Sequence, residues 1–136
     1  MYGNPVFDCA GAQLRAQCRQ LATVVTVDGV IDDTNMDRVG EYAKRFVIAE
    51  KPFVLDLSGV SSFSAQSVSL LYGIDESCFH VGVEWSLVTS ESVQSALRFA
   101  GVSFPMAESV HDALHHFSDC IDERRRLLPL LTKKTA

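Results

Sequence analysis

A strand, a polar segment and a helix follow one another in residues 53–71, and this order constrains the fold more than any other stretch. The apolar run at 53–57 ends at Ser58-Gly59, which is typical of a buried strand. An apolar pattern with helical spacing begins a few residues later. Because a helix that follows a buried strand commonly leads to a neighbouring parallel strand, the segment predicts a crossover unit. Four serines crowd the polar connection and the first helical turn: Ser61, Ser62, Ser64 and Ser67.

The same alternation extends along the chain. β-Branched residues predict a buried strand at 21–27, and helical spacing predicts an amphipathic helix from about 34 to 49. Residues 7–17 form a weaker candidate for an edge strand. Later elements are a helix from about 65 to 79, an alternating strand around Trp85, a helix between Ser90 and Gly101, a short strand at 102–106 and a helix capped by Ser109. We expect an α/β domain with a mixed four- or five-stranded sheet and about four helices packed against it.

Length and charge limit the classes of function. The chain has 136 residues and a net charge of −5, which suits one domain and gives no electrostatic case for nucleic-acid binding. No apolar stretch is long enough to cross a membrane, and the N-terminus lacks a signal-peptide pattern, so we expect no membrane insertion and a cytoplasmic location. The domain should span 1–117, followed by a C-terminal helical extension and tail at 118–136.

Four short segments follow one another along the chain: Gly29-Val30-Ile31-Asp32 followed by Asn35, residues 55–60 (Leu-Asp-Leu-Ser-Gly-Val), residues 97–101, and Ser109-Val110 with Ala113-Leu114. In this order they resemble the STAS domain family of anti-sigma factor antagonists and sulfate transporters. The resemblance covers about 7–117 and implies a STAS-type single domain. It also implies a non-catalytic interaction module that binds a kinase-like anti-sigma factor and so releases a sigma factor to regulate transcription. The alternative is a regulatory or assembly subunit of a membrane transporter.

The family's regulatory motif, Asp-Ser-Ser-Gly-Leu-Gly, aligns with residues 64–69 and departs from it at the phosphoacceptor position. Ala65 stands there and has no hydroxyl group, so the usual phosphorylation switch is not expected at this residue. Ser64 and Ser67 are the candidates for a substitute phosphoacceptor. The resemblance implies partner contacts from Asp32, Asn35, Ser64, Ala65, Gln66, Ser67, Val68 and Ser69.

The cysteines and histidines have plain interpretations in the sequence. Cys78 falls on the apolar side of a helix and should be a buried thiol, whereas Cys9, Cys18 and Cys120 are candidates for a redox switch. His111 and His115 are four residues apart, but no carboxylate or cysteine completes a metal set at a recognisable spacing, so neither metal nor cofactor is expected.

Two further expectations concern catalysis and association. The sequence has no recognisable nucleophile with a base and no phosphate-binding glycine loop, so we expect no enzymatic activity. The tail leucines could pack back on the domain or form a homodimer contact; they are Leu127, Leu128, Leu130 and Leu131.

Overall fold

The computed structural model describes residues 6–120, which form a six-stranded sheet with four helices. The strands lie side by side in chain order, β1 to β6. The strands are β1 (Phe7–Cys9), β2 (Ala12–Cys18), β3 (Thr23–Ile31), β4 (Phe53–Phe63), β5 (Trp85–Val88) and β6 (Met106–Ala107). The helices are α1 (Met36–Lys44), α2 (Val68–Val81), α3 (Glu91–Ala100) and α4 (110–120), with a single 3₁₀ turn at Ala65–Ser67 before α2.

The α/β architecture predicted from the sequence is correct, but the sheet has six strands where at most five were expected. Residues 7–17 form a tight antiparallel hairpin instead of one edge strand, and its second strand also runs antiparallel to β3. The hairpin turns at Ala10 and Gly11, whose φ angles are 43° and 110°. From β3 to β6 the neighbouring strands are all parallel, as crossover helices require.

The polar segment after residue 57 is a strand and not the predicted loop. β4 has eleven residues and continues through Ser58-Gly59 to Phe63. Val60 and Phe63 remain buried along this extension, while the serines between them face solvent. The extension pairs with the end of β3, so the ladder supplies partners for the backbone groups that face β3. Residue polarity was therefore a poor guide to where this strand ends.

Helices cover both faces of the sheet. Phe53 and Leu55 of β4 point into a core shared with α1, α2 and α3, whereas Val54 lies between them and points to the opposite face. There Val54 packs with Ala113 and Phe117 of α4. Among residues 6–120, three helices therefore pack on the larger core, and α4 alone packs on the smaller one.

The helix ends follow local capping chemistry. The Ser90 hydroxyl accepts a hydrogen bond from the backbone N–H of Val93, and Gly101 closes α3 in the left-handed region. Ser109 accepts from the N–H of Asp112 at the start of α4. α1 ends at Lys44, earlier than the predicted residue 49, and tight i→i−3 hydrogen bonds follow it. The predicted domain boundary at 117/118 remains a prediction, and the tail leucines lie outside the described residues.

Candidate functional site

The ends of β3 and β4 bring two polar connections together at one edge of the sheet. These strands are parallel neighbours, so the residues that follow them meet at the same edge. The backbone N–H of Ser64, just after β4, donates to the carbonyl of Ile31 at the end of β3 at 3.1 Å. Asp32 and Asp33 follow Ile31 directly, and they therefore lie beside the start of α2.

Asp32 closes the turn that leads from β3 into α1. Its Oδ1 accepts hydrogen bonds from the backbone N–H and from the hydroxyl of Thr34. These two bonds, the hydroxyl's first, hold the pKa of the Asp32 carboxyl below its ordinary value of 3.8. The edge therefore carries a negative charge that persists to acidic pH.

Asn35 lies beneath this turn and is fully buried. Its Nδ2 donates to the carbonyls of Cys9 and Val30 at 2.9 and 2.8 Å, and its Oδ1 accepts from the N–H of Asp32 at 2.9 Å. The partner contact predicted for Asn35 is therefore not available to its side chain in this structure. Asn35 instead fastens the β1–β2 hairpin to the turn after β3.

A short chain of hydrogen bonds connects α2 to this turn. The Ser64 hydroxyl lies 3.0 Å from Asp33 Oδ1 and 2.7 Å from the Ser67 hydroxyl. Since a carboxylate can only accept, Ser64 donates to Asp33 and Ser67 donates to Ser64. Ser67 is fully buried, so its hydroxyl does not reach the surface where a partner or kinase would approach. Ser64 is partly exposed.

The remaining motif residues divide by burial. Val68 belongs to the main core, whereas Ala65, Gln66 and Ser69 are exposed. We define the helix-start surface as Asp33, Ser64, Ala65, Gln66 and Ser69, the accessible residues around the 3₁₀ turn and the beginning of α2. It offers hydroxyl, amide and carboxylate groups around a small apolar side chain, an arrangement suited to binding another molecule.

The cysteines differ in burial: Cys9 and Cys78 are buried, Cys18 is exposed and Cys120 is intermediate. Cys78 is buried, as predicted, and its surroundings raise the thiol pKa to about 12, mainly through burial and secondarily through Asp75. Cys9 is also buried, and burial raises its pKa. Cys18 is exposed, with its sulfur 3.2 Å from Lys51 Nζ.

A disulfide between Cys9 and Cys18 does not fit the hairpin. Cys9 pairs with Ala12 across the turn, and Cys18 stands at the far end of β2 from Ala12. At strand spacing the two Cα atoms are about 20 Å apart. A disulfide needs a Cα separation below about 7 Å, so a disulfide within one chain cannot join Cys9 to Cys18 in this fold. The redox switch predicted through Cys9, Cys18 or Cys120 stays a prediction.

The structure also assembles a group that the sequence reasoning missed. Ligand atoms of Glu84, His116 and Cys120 all lie within 4.8 Å of one another. The histidines that the sequence analysis considered and set aside, His111 and His115, are not in this group, and His115 faces Asp119 with 3.7 Å between Nε2 and Oδ2. The sequence signal for this group was the spacing of His116 and Cys120, which are one helical turn apart. Glu84 comes from a distant segment, so its place in the group could not be predicted.

Within residues 6–120, no helix is both long and apolar enough to span a bilayer.

The mixed sheet, the helices on both faces and the exposed helix start after a central parallel strand define a STAS-type α/β domain. The STAS domain model matches residues 13–113, and the chain belongs to this family.

The chain is also similar to a known mycobacterial protein and to solved structures of the same fold. Osmosensory protein A of Mycobacterium tuberculosis is 46% identical over 138 residues, which cover 96% of this chain and 87% of the relative. An anti-sigma factor antagonist from Mycobacterium paratuberculosis has the same fold, with a TM-score of 0.70, 19% identity and coverage of 79% of this chain and 94% of that one. RsbS S58E of Moorella thermoacetica also has this fold, with a TM-score of 0.67 and 16% identity. The match covers 80% of this chain and 97% of that one.

Proposed function

We propose that this protein is a non-catalytic cytoplasmic module that binds an anti-sigma factor of kinase-like fold and thereby releases a sigma factor. The observation that carries the proposal is the exposure of Ala65 and Gln66 at the helix start, where the family has its regulatory motif. Family membership supports the class of partner. The surface chemistry supports binding and offers no arrangement of nucleophile and base.

The charge of the helix-start surface indicates what kind of partner surface would fit. Asp33 and the neighbouring Asp32 place two carboxylates at the rim, and the chain as a whole has a net charge of −5. The short methyl side chain of Ala65 makes the middle of the surface apolar, and it does not protrude. A complementary partner would present basic or hydrogen-bond-donating side chains around an apolar contact.

Control of this binding should differ from the usual phosphorylation switch. Ala65 cannot accept a phosphate, so we propose that binding is constitutive with respect to this position. Ser64 is the better of the two substitute acceptors, because Ser67 is buried. A phosphate on Ser64 would place negative charge beside Asp33 and break the hydrogen bond to that carboxylate.

The input signal is suggested by the Mycobacterium tuberculosis relative, whose name describes an osmosensory protein. We include a response to osmotic conditions in the proposed function. The partner should then be captured in different amounts from cells grown with and without added salt.

A capture experiment with a charge variant tests the binding role. The wild-type chain, used as bait in lysate of the source organism, should retain an anti-sigma factor, and Ala65→Glu should lose it. With the purified pair, the substitution should weaken binding about tenfold or more, because it puts a charged, bulkier side chain into a desolvated contact.

Ala100→Glu is the matched control. Ala100 is exposed at the C-terminal end of α3, whose N-terminal end lies near the helix start, where Ser92 donates to the carbonyl of Val60. This variant should bind like the wild type. Equal binding by Ala65→Glu would remove the helix-start surface from the interface. Specific capture of a membrane transporter instead would favour the transporter-subunit alternative.

A further inference from the structure

The cluster of Glu84, His116 and Cys120 lies at the other edge of the sheet from the helix-start surface. Glu84 immediately precedes β5, and its carbonyl accepts a hydrogen bond from the N–H of Phe53 at 3.0 Å, so its backbone is fixed by the sheet. His116 and Cys120 are one turn apart on α4, which places both side chains on one face of the helix. The three ligand atoms therefore come from two parts of the fold, the segment before β5 and helix α4, and each part is positioned by its own contacts with the sheet.

The distances fit a tetrahedral metal ion. With Zn–N bonds of about 2.05 Å and a Zn–S bond of about 2.3 Å, tetrahedral angles put the nitrogen and sulfur about 3.5 Å apart. Cys120 Sγ and His116 Nε2 are 3.7 Å apart, and no ligand atom of the cluster is farther than 4.8 Å from another.

The surroundings also suit a cation. Glu84 and His116 line a cavity of about 230 Å³, together with Asp75 and Phe117, so a hydrated ion has room to enter. The Asp75 carboxylate accepts a hydrogen bond from Trp85 Nε1 at 2.8 Å and adds negative charge nearby. Phe117 is buried directly beside His116 and anchors this part of α4 on the sheet.

We propose that Glu84, His116 and Cys120 bind one Zn²⁺ ion. A carboxylate oxygen, an imidazole nitrogen and a thiolate sulfur are together typical of zinc, and a water molecule would take the fourth position. On binding, the Cys120 thiol releases its proton to solvent as the Zn–S bond forms. The ion joins α4 to the segment before β5. This site is independent of the partner-binding role proposed above.

The test is zinc binding by the full-length chain under reducing conditions, measured by competition with a chromophoric chelator. One Zn²⁺ should bind per chain, and Cys120→Ser or Glu84→Gln should weaken binding about 100-fold, since even outer partners of metal ligands commonly contribute 10- to 100-fold. Co²⁺ in place of Zn²⁺ should give a thiolate-to-cobalt charge-transfer band, which Cys120→Ser should abolish.

Two variants control for ligands that lie elsewhere. Cys18→Ser removes another accessible thiol, and His115→Gln removes the neighbouring histidine on α4. Both should bind zinc like the wild type, and unfolding curves establish that every variant is folded. The proposal is overturned if the wild type binds no stoichiometric zinc, if Cys120→Ser binds it unchanged, or if the cobalt complex lacks the thiolate band.

Discussion

At the scale of single residues, the hydrogen bonds in the turn at Asp32 make the stability of the fold depend on pH. Two donors from Thr34 stabilise the ionised carboxylate, so its pKa in the folded chain lies below the ordinary 3.8. A carboxyl group whose pKa falls on folding stabilises the fold above its unfolded-state pKa. That contribution disappears as the pH drops through the lowered folded-state value.

Thr34→Val tests this assignment directly. The substitution removes the hydroxyl donor and keeps the backbone N–H, so the pKa of Asp32 should rise toward 3.8 but remain below it. Carboxyl chemical shifts followed through an NMR pH titration give the value. The other carboxyl groups in the same spectra serve as the internal reference, and an Asp32 pKa that does not move would contradict the role of the hydroxyl.

The sequence distance between a residue and its hydrogen-bond partners decides how well its role could be predicted. Ser90 and Ser109 cap helices through N–H groups three residues away, and the sequence predicted both caps. Asn35 instead donates to Cys9, 26 residues earlier, and nothing in its own neighbourhood indicated that it would be buried. Ser67 was likewise predicted as a partner contact and a candidate phosphoacceptor, because a hydroxyl group alone does not reveal which way it faces.

At the scale of elements, the end of β3 is shaped by Gly29. The pairing of β3 with β4 shifts register on either side of Asp28-Gly29, and Gly29 has a φ of 103°. A Cβ atom there would collide with the carbonyl oxygen of Gly11 in the hairpin turn. Glycine is therefore needed both for the backbone angle and for the close approach of the hairpin.

Gly29→Ala should lower the free energy of unfolding by about 3 kcal/mol, since backbone strain and a backbone clash act together. Gly82→Ala is the control: its φ is 82°, but a Cβ there has nothing within 4 Å. That variant should lose only about 1 kcal/mol, the cost of the left-handed angle. Denaturant unfolding measures both, and equal losses would show that the hairpin yields to the added methyl group.

Element types were predictable where apolar periodicity was strong, as in the strand at 53–57 and the helix that follows. The β1–β2 hairpin was missed because its inward residues are few and mostly small, among them Cys9 and Ala12. The extension of β4 was missed because its serines resemble a loop. Its strand character comes from pairing with β3, a contact between segments about thirty residues apart.

At the scale of the whole molecule, the two faces of the sheet are covered unequally. Three helices bury one face, while within the described residues the other face is covered by α4 alone, through Ala113 and Phe117. The attachment of α4 therefore depends on few side chains. Any zinc at the Glu84 cluster would add a second attachment for the same helix.

Phe117→Ala should lower the free energy of unfolding by about 3 kcal/mol, because a fully buried aromatic ring is lost from the smaller core. Phe99→Ala is matched in chemistry, but Phe99 is 84% exposed and its loss should change stability little. Thermal or denaturant unfolding compares the two. Similar values for both variants would mean that α4 contributes no stability through Phe117.

The fold class could be predicted because alternating strands and helices allow few arrangements. The Glu84 cluster could not, since Glu84 and His116 are 32 residues apart and meet only when α4 crosses the second face. Similarly, the sequence predicted that residues 64–69 lie at the start of a helix but could not separate the exposed ones from the buried Ser67 and Val68.

The length of β4 has a consequence for how the two edges of the molecule can influence each other. Its eleven residues run from the Glu84 side of the sheet to Ser64 and span about 30 Å. Physiological salt screens electrostatic interactions over about 8 Å, so the charge of a divalent ion at one edge would exert almost no force on groups at the other. Two occupants could therefore bind at once without mutual repulsion. Any influence of one on the other would have to travel mechanically, through the rigid strand and the helices packed along it.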